Sequence, residues 1–292
     1  MSFTPIETNH RRAGHVVILL HGLASSSLEV ARLGKYLSNN GLATYEPNIT
    51  GFCYGQPCSE WREWIDEIRR EYRRLSEIYQ TVSIVGVSMG ATLALAVAAE
   101  EDGIAALVLL STAIAYDGWA IPWYRSFLSI ARHFSWAKNY KYREREPFGV
   151  KNPEMRARIK KAILTSETSE AGGAYIGFDH VNQADELIVH VRRNVDLVTC
   201  PTLIVHATED ETVSPRNADW LMENISAKSK KLLFLGQSYH MITIDNEYEF
   251  VFHESESFIK SSINALSPKL VFEQPDVISK ALQRAIRRRG DR

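Results

Sequence analysis

No apolar stretch in the 292 residues approaches the roughly 20 that a membrane-crossing helix needs, so no integral membrane segment is expected. The opening MSFTPIETNHRRAGHVVILLHG sets a basic pair before an apolar run. That run, Val16 to Leu20, is shorter than the roughly 7–15 residues of a secretion-signal core, and no small-residue cleavage site follows it, so the expected location is cytoplasmic. Net charge is nearly absent. The 34 Lys and Arg against 35 Asp and Glu leave −1, which gives nucleic acid or an anionic membrane no overall attraction. Cysteine is scarce: Cys53, Cys58 and Cys200 make an odd number with no metal-ligand spacing. Cys53 and Cys58 are near enough in sequence to bridge a small loop, but without an export signal reduced structural thiols are the expectation. Repeats and low-complexity tracts are missing as well. What is left, 45% hydrophobic and 24% charged, is ordinary globular composition with ample material for a core.

One local charge excess stands out. From Pro268 onward Lys269, Lys280, Arg284, Arg287, Arg288, Arg289 and Arg292 face only Glu273, Asp276 and Asp291. "ALQRAIRRR" is a candidate for weak peripheral contact with a membrane or partner, although a charge run at a chain end more often means a solvated helix or tail.

Short β-rich runs alternate with helical segments: "HVVILL" (15–20), "LATYEP" (42–47), "VSIVGV" (82–87), "IAALVLL" (104–110), "TLIVHA" (202–207) and "KLLFL" (231–235). Apolar strands spaced by helices predict a mostly parallel sheet flanked by helices on both faces. Between two of them, residues 59 to 79 carry Trp61, Trp64, Ile65, Ile68, Tyr72, Leu75 and Tyr79 at helical spacing, with Ser59 as the expected N-cap. The two tryptophans read as part of the core stripe rather than as a ligand platform. The alternation breaks from about 112 to 198, where Trp119, Trp123, Tyr124, Phe127, Phe134, Trp136, Tyr140, Tyr142 and Phe148 sit in a helix-prone stretch. The expected organisation is an α/β core of residues 1–111 and 199–267, a helical cap inserted at 112–198, and a basic tail or helix at 268–292. The cap's aromatics suit its own packing better than direct ligand contact. The basic residues of "KNYKYREREPFGVK" (138–151) alternate with acids, as a solvated face does.

"SIVGVSMGAT" (83–92) joins a strand to a helix with almost no loop, in the pattern Gly-x-Ser-x-Gly. A serine on so sharp a turn has an unfavourable backbone conformation, and side chains at 86 and 90 would collide with the adjoining strand and helix. The turn lifts the Ser88 hydroxyl clear of the sheet edge. It also sets a helix N-terminus beneath any oxyanion formed there, with the Met89 N–H as first donor.

A serine needs a base, and the base an orienting group. Of nine histidines, His15 and His206 fall in predicted strands, His253 in a predicted helix, His10 near the N-terminus, and His133, His180 and His190 in the insertion. His240 instead follows "KLLFL" through the short loop "GQSYH", at the carboxyl edge of the sheet where Ser88 also emerges. "HATEDETVSP" puts Glu209, Asp210 and Glu211 on the exit loop of the preceding strand. Asp210 is the expected orienting acid, with Glu209 the alternative. Serine, acid and histidine then occur in the order of an α/β-hydrolase triad. The second oxyanion donor is expected in "LLHGLASSS", at the Leu23 N–H, with His21 orienting that loop and Ser25, Ser26 and Ser27 capping the helix after it.

On these residues the chain resembles the bacterial carboxylesterases and monoacylglycerol lipases of the α/β-hydrolase superfamily. The likeness covers residues 19–51, the elbow and residues 207–245. It implies an α/β-hydrolase fold with Ser88, Asp210 and His240 as triad and Leu23 and Met89 as oxyanion hole. It further implies a cofactor-free and metal-free serine esterase for short to medium acyl esters or monoglycerides, with a small-molecule ester as its partner. Tyr239 stands where the family usually has glycine, "GFCYG" (51–55) replaces a "GHG"-like segment, and the insertion is longer than the family's cap. Acyl thioesterase or acyltransferase chemistry is the alternative that the same triad permits. From another class, the alternative is a non-catalytic ligand-binding module, which would not need a complete triad.

Overall fold

The computed structural model describes residues 6–8, 14–121 and 140–266. The basic tail from 268, His10, His133, and the aromatics Trp123, Tyr124, Phe127, Phe134 and Trp136 lie outside the described residues.

In chain order the strands are β1 (Ile6–Thr8), β2 (His15–Leu20), β3 (Ala43–Glu46), β4 (Thr81–Val87), β5 (Ile104–Leu110), β6 (Lys141–Arg143), β7 (Thr168–Ser169), β8 (Gly172–Gly173), β9 (Tyr175–Gly177), β10 (Thr202–Ala207) and β11 (Lys230–Leu235). The helices are α1 (Leu28–Asn39), α2 (Trp61–Ile78), α3 (Met89–Glu100), α4 (Pro153–Ser166), α5 (Phe178–Asn194), α6 (Arg216–Asn224) and α7 (Tyr248–Leu266). Seven strands form one sheet in the order β1-β3-β2-β4-β5-β10-β11. Six of them are parallel, and β1 joins β3 antiparallel at the edge. β1 and the short strands β6 to β9 have no counterpart among the strand runs that the sequence predicts.

Alternation along the strands divides the core between the two sheet faces. Val16, Ile18 and Leu20 of β2 pack with Trp64, Ile68 and Leu75 of α2 and with α3. Val17 and Leu19 turn the other way, against Leu33 and Leu37 of α1 and Val251 and Ile259 of α7. Every residue of β2 is buried, as expected for a strand covered on both faces. Helix α3 is buried almost all round, which explains why its sequence reads as a continuous apolar run rather than a stripe.

Two expected caps differ. Helix α2 begins at Trp61 with Glu60 at the cap position, while the Ser59 hydroxyl donates to the Thr50 carbonyl at 3.2 Å. Ser27 does precede α1, but its hydroxyl makes no cap bond. The three cysteines are free thiols, with Cys53 buried.

All the parallel strands end at one edge. The chain turns there into Leu23 after β2, Ser88 after β4, Asp210 after β10 and His240 after β11. From the stretch between β5 and β10, the Gly149 carbonyl accepts the Met241 N–H at 2.8 Å and the Gly173 N–H donates to Ala24 O at 3.1 Å. Both contacts touch loops that leave this edge.

Candidate active site

Ser88 has φ 53° and ψ −118°, a strained conformation for a residue with a side chain. Its neighbours show what enforces it. A Cβ on Gly86 would lie 2.4 Å from the Gly90 carbonyl oxygen, and one on Gly90 would lie 2.3 Å from that of His21. Strand β4, helix α3 and the end of β2 therefore approach too closely for any residue but glycine at 86 and 90. The Ser88 N–H donates to Leu110 O at 2.8 Å, which ties the turn to β5.

A chain of hydrogen bonds leads from the hydroxyl. Ser88 Oγ lies 2.8 Å from His240 Nε2, and His240 Nδ1 lies 2.8 Å from Asp210 Oδ2. The other carboxylate oxygen of Asp210 accepts the N–H groups of Thr212 at 2.9 Å and Val213 at 2.8 Å, so the acid is fixed on both sides. Asp210 is 2% exposed and His240 6%. The structure thus brings together Ser88, Asp210 and His240. Glu209 faces outward, in an ion pair with Lys151 at 3.0 Å.

Electrostatics follow from this enclosure. Burial alone would push the Asp210 pKa up, but the charge and hydrogen bonds of His240 and His206 outweigh it and hold the carboxyl well below its usual range. For His240, burial disfavours the imidazolium, yet Asp210, and then Glu211 and Glu29, more than compensate and raise its pKa. An ionised Asp210 requires the proton on Nδ1, which leaves Nε2 free to accept from the serine.

The strand-end loops also supply donors. Among the described residues, the Leu23 and Met89 N–H groups have no hydrogen-bond partner, although those of Gly22, Ala24 and Ser88 do. Met89 opens α3, where unpaired N–H groups and the helix dipole favour negative charge. His21 directs Nδ1–H to the Gly22 carbonyl at 2.8 Å, and burial pushes its pKa down to about 4, so it is a neutral part of the loop.

Four further groups were not singled out from sequence. His206 Nε2 donates to Val213 O at 2.9 Å and lies 3.3 Å from Asp210. Its place at the end of β10, four residues before the acid, was the available signal. Glu211 is buried and accepts the His240 N–H at 3.2 Å. Glu29, on the first turn of α1, accepts the Gly22 N–H at 2.8 Å. Glu144, just after β6, is pushed up to about 7 by burial and by the charge of Glu211. Nothing in a linear sequence marks Glu29 and Glu211 as buried.

The family model described as Hydrolase_4, serine aminopeptidase S33, matches residues 11–247. A carboxylesterase of Bacillus subtilis (strain 168) is 26% identical over 269 residues, which cover 88% of this chain and 97% of that protein. A thermostable monoacylglycerol lipase of Bacillus sp. (strain H-257) is 25% identical over 246 residues, 83% of this chain and 89% of its own. In fold, the crystal structure of the Paleococcus ferrophilus monoacylglycerol lipase matches with a TM-score of 0.75 at 17% identity, over 90% of this chain and 100% of that one. No helix among the described residues is long and apolar enough to cross a membrane. With the family model spanning most of its length and an α/β-hydrolase sheet beneath the match, the chain belongs to the Hydrolase_4 (serine aminopeptidase, S33) family and is a serine hydrolase of the esterase type.

Proposed function

We propose that the protein hydrolyses carboxylic esters of short to medium acyl chains, monoglycerides among them, through an acyl-enzyme on Ser88. The observation that carries this reading is the unbroken chain Ser88 Oγ–His240 Nε2–Asp210 at 2.8 Å per link, starting from a strained elbow. His240 accepts the serine proton as Ser88 attacks the ester carbonyl, while Asp210 keeps the imidazole in the productive tautomer and stabilises the imidazolium. The Leu23 and Met89 N–H groups receive the oxyanion. His240 then protonates the departing alcohol, and water enters by the same route to release the acid.

The stretch 112–198 acts as a cap in this reading. Its contacts with Met241 and Ala24 reach the loops that carry the base and an oxyanion donor, which supports its role in shaping the acyl site. The names of the two Bacillus relatives favour esters over peptides. The test is a chain-length series of p-nitrophenyl esters, monoacylglycerols and acyl-CoAs, assayed with wild type and Ser88→Ala in parallel. Ester turnover that peaks at short to medium chains and is abolished by Ser88→Ala is the expected result. A preference for acyl-CoA would reassign the protein as a thioesterase, and undiminished turnover by Ser88→Ala would reject the nucleophile.

A further inference from the structure

Glu29 is 3% exposed, and among the described residues no lysine or arginine pairs with it. The mechanism above gives it no task. Its carboxyl is nonetheless beside the chemistry: a Cβ placed on Gly22 would lie 3.2 and 3.3 Å from the two Glu29 oxygens and 3.6 Å from Ser88 Cβ.

The loop between β2 and α1 is fastened at successive points. The Gly22 N–H donates to Glu29 Oε2 at 2.8 Å, and the Gly22 carbonyl accepts His21 Nδ1–H at 2.8 Å. Because Nδ1 faces a carbonyl, it carries the ring proton, and Nε2 accepts the Cys53 thiol at 3.4 Å. Beyond Leu23, Ala24 has φ 51° and its N–H donates to Phe52 O at 3.0 Å. The Gly22 carbonyl and the Leu23 N–H share one planar trans peptide and point in opposite directions. Gly22 is held on both sides, by Glu29 at its N–H and by His21 at its carbonyl, so its two dihedrals are pinned and with them the direction of the unpaired Leu23 N–H.

We propose that Glu29 is a positioning residue of the oxyanion hole: its oxygen holds the Gly22 N–H and, together with the His21 bond to the Gly22 carbonyl, keeps the Leu23 N–H aimed at the oxygen that gains charge when Ser88 attacks. This rests on the reading of Ser88 as nucleophile and Leu23 as donor. Burial favours the uncharged carboxyl, against the pull of the neighbouring Ser25 hydroxyl, the Gly22 N–H and His240.

The test compares Glu29→Gln, which keeps an acceptor at the same reach, with Glu29→Met, which keeps the length and removes the acceptor. Turnover of p-nitrophenyl butyrate and inhibition by an alkyl trifluoromethyl ketone, which forms a charged tetrahedral adduct on an active serine, are read on the full chain. Glu29→Met should lower kcat about tenfold or more and weaken the ketone in parallel, with KM within about twofold of wild type. Glu29→Gln should stay within about threefold of wild type in every constant. Should Glu29→Met not fold, Glu29→Asn withdraws the acceptor by one methylene and carries the same expectation as Glu29→Met. Unchanged kcat and ketone affinity in the variants without a well-placed acceptor would overturn the proposal, as would a Gln variant as impaired as the Met variant. If wild type resists the ketone and Ser88→Ala retains turnover, it is the nucleophile assignment that fails, and this proposal with it.

Discussion

Asp210→Asn separates the orienting role of the acid from its structural one. Asp210 Oδ1 accepts two backbone N–H groups, from Thr212 at 2.9 Å and Val213 at 2.8 Å. An asparagine keeps those bonds only by placing its amide oxygen there, which turns the NH2 toward His240 Nδ1, 2.8 Å from the present Oδ2. That NH2 is a donor, so Nδ1 must become the acceptor and the ring proton moves to Nε2, the atom that faces Ser88 Oγ. The base is then blocked without loss of the fold. The same tautomer reversal in a serine protease costs about 10⁴ in kcat, or roughly 5 kcal/mol in the barrier. The assay is p-nitrophenyl butyrate turnover near pH 7.5, with KM and the thermal midpoint measured on the same preparation. kcat should fall by about three to four orders of magnitude, with KM and the midpoint little changed. A variant with kcat within tenfold of wild type would refute the tautomer reversal.

Other expectations follow from the same geometry. His240 must be neutral to accept the serine proton, and its pKa is raised from 6.5, so kcat/KM should climb with pH through a midpoint above 6.5. A pH–rate profile with its acid limb at or below that value would contradict the electrostatic account. Gly90→Ala forces a methyl to within 2.3 Å of His21 O and 2.5 Å of Leu20 O, both backbone atoms. It should cost about 1–3 kcal/mol of stability in urea denaturation and also reduce turnover, because the atoms displaced lead into the Leu23 loop. Wild-type stability and activity in Gly90→Ala would show that the elbow is looser than described.

The elbow was legible in sequence because backbone crowding leaves only glycine at 86 and 90, and because β4 and α3 differ sharply in residue type. The stripe of α2 was legible for a similar reason: Trp61, Trp64, Ile65, Ile68, Tyr72 and Leu75 repeat at the helical period and are all buried. Order along the chain, with the strand-end positions, sufficed to choose Asp210 and His240, which the structure brings within 2.8 Å of each other.

Glu29, Glu144, His206 and Glu211 were not legible as members of the site. The three acids read as exposed in sequence, and the partners of all four lie outside their own turn or strand. Glu29 reaches a loop seven residues earlier, and Glu211 meets a backbone N–H from residue 240. Ser59 and Ser27 mislead in the opposite sense. Their type suits a cap, but the Ser59 hydroxyl donates to the Thr50 carbonyl and the Ser27 hydroxyl makes no cap bond. Edge strand β1 is three residues long, and its antiparallel pairing with β3 is not announced by any period-two pattern.

The central claim is that the Ser88 hydroxyl is activated by its neighbours. Incubation with an alkyl fluorophosphonate, followed by peptide mass spectrometry, addresses it directly. A single adduct on the peptide that contains Ser88, absent in Ser88→Ala and strongly slowed in Asp210→Asn, is the predicted result. An unmodified protein, or an adduct on a different serine, would contradict the account.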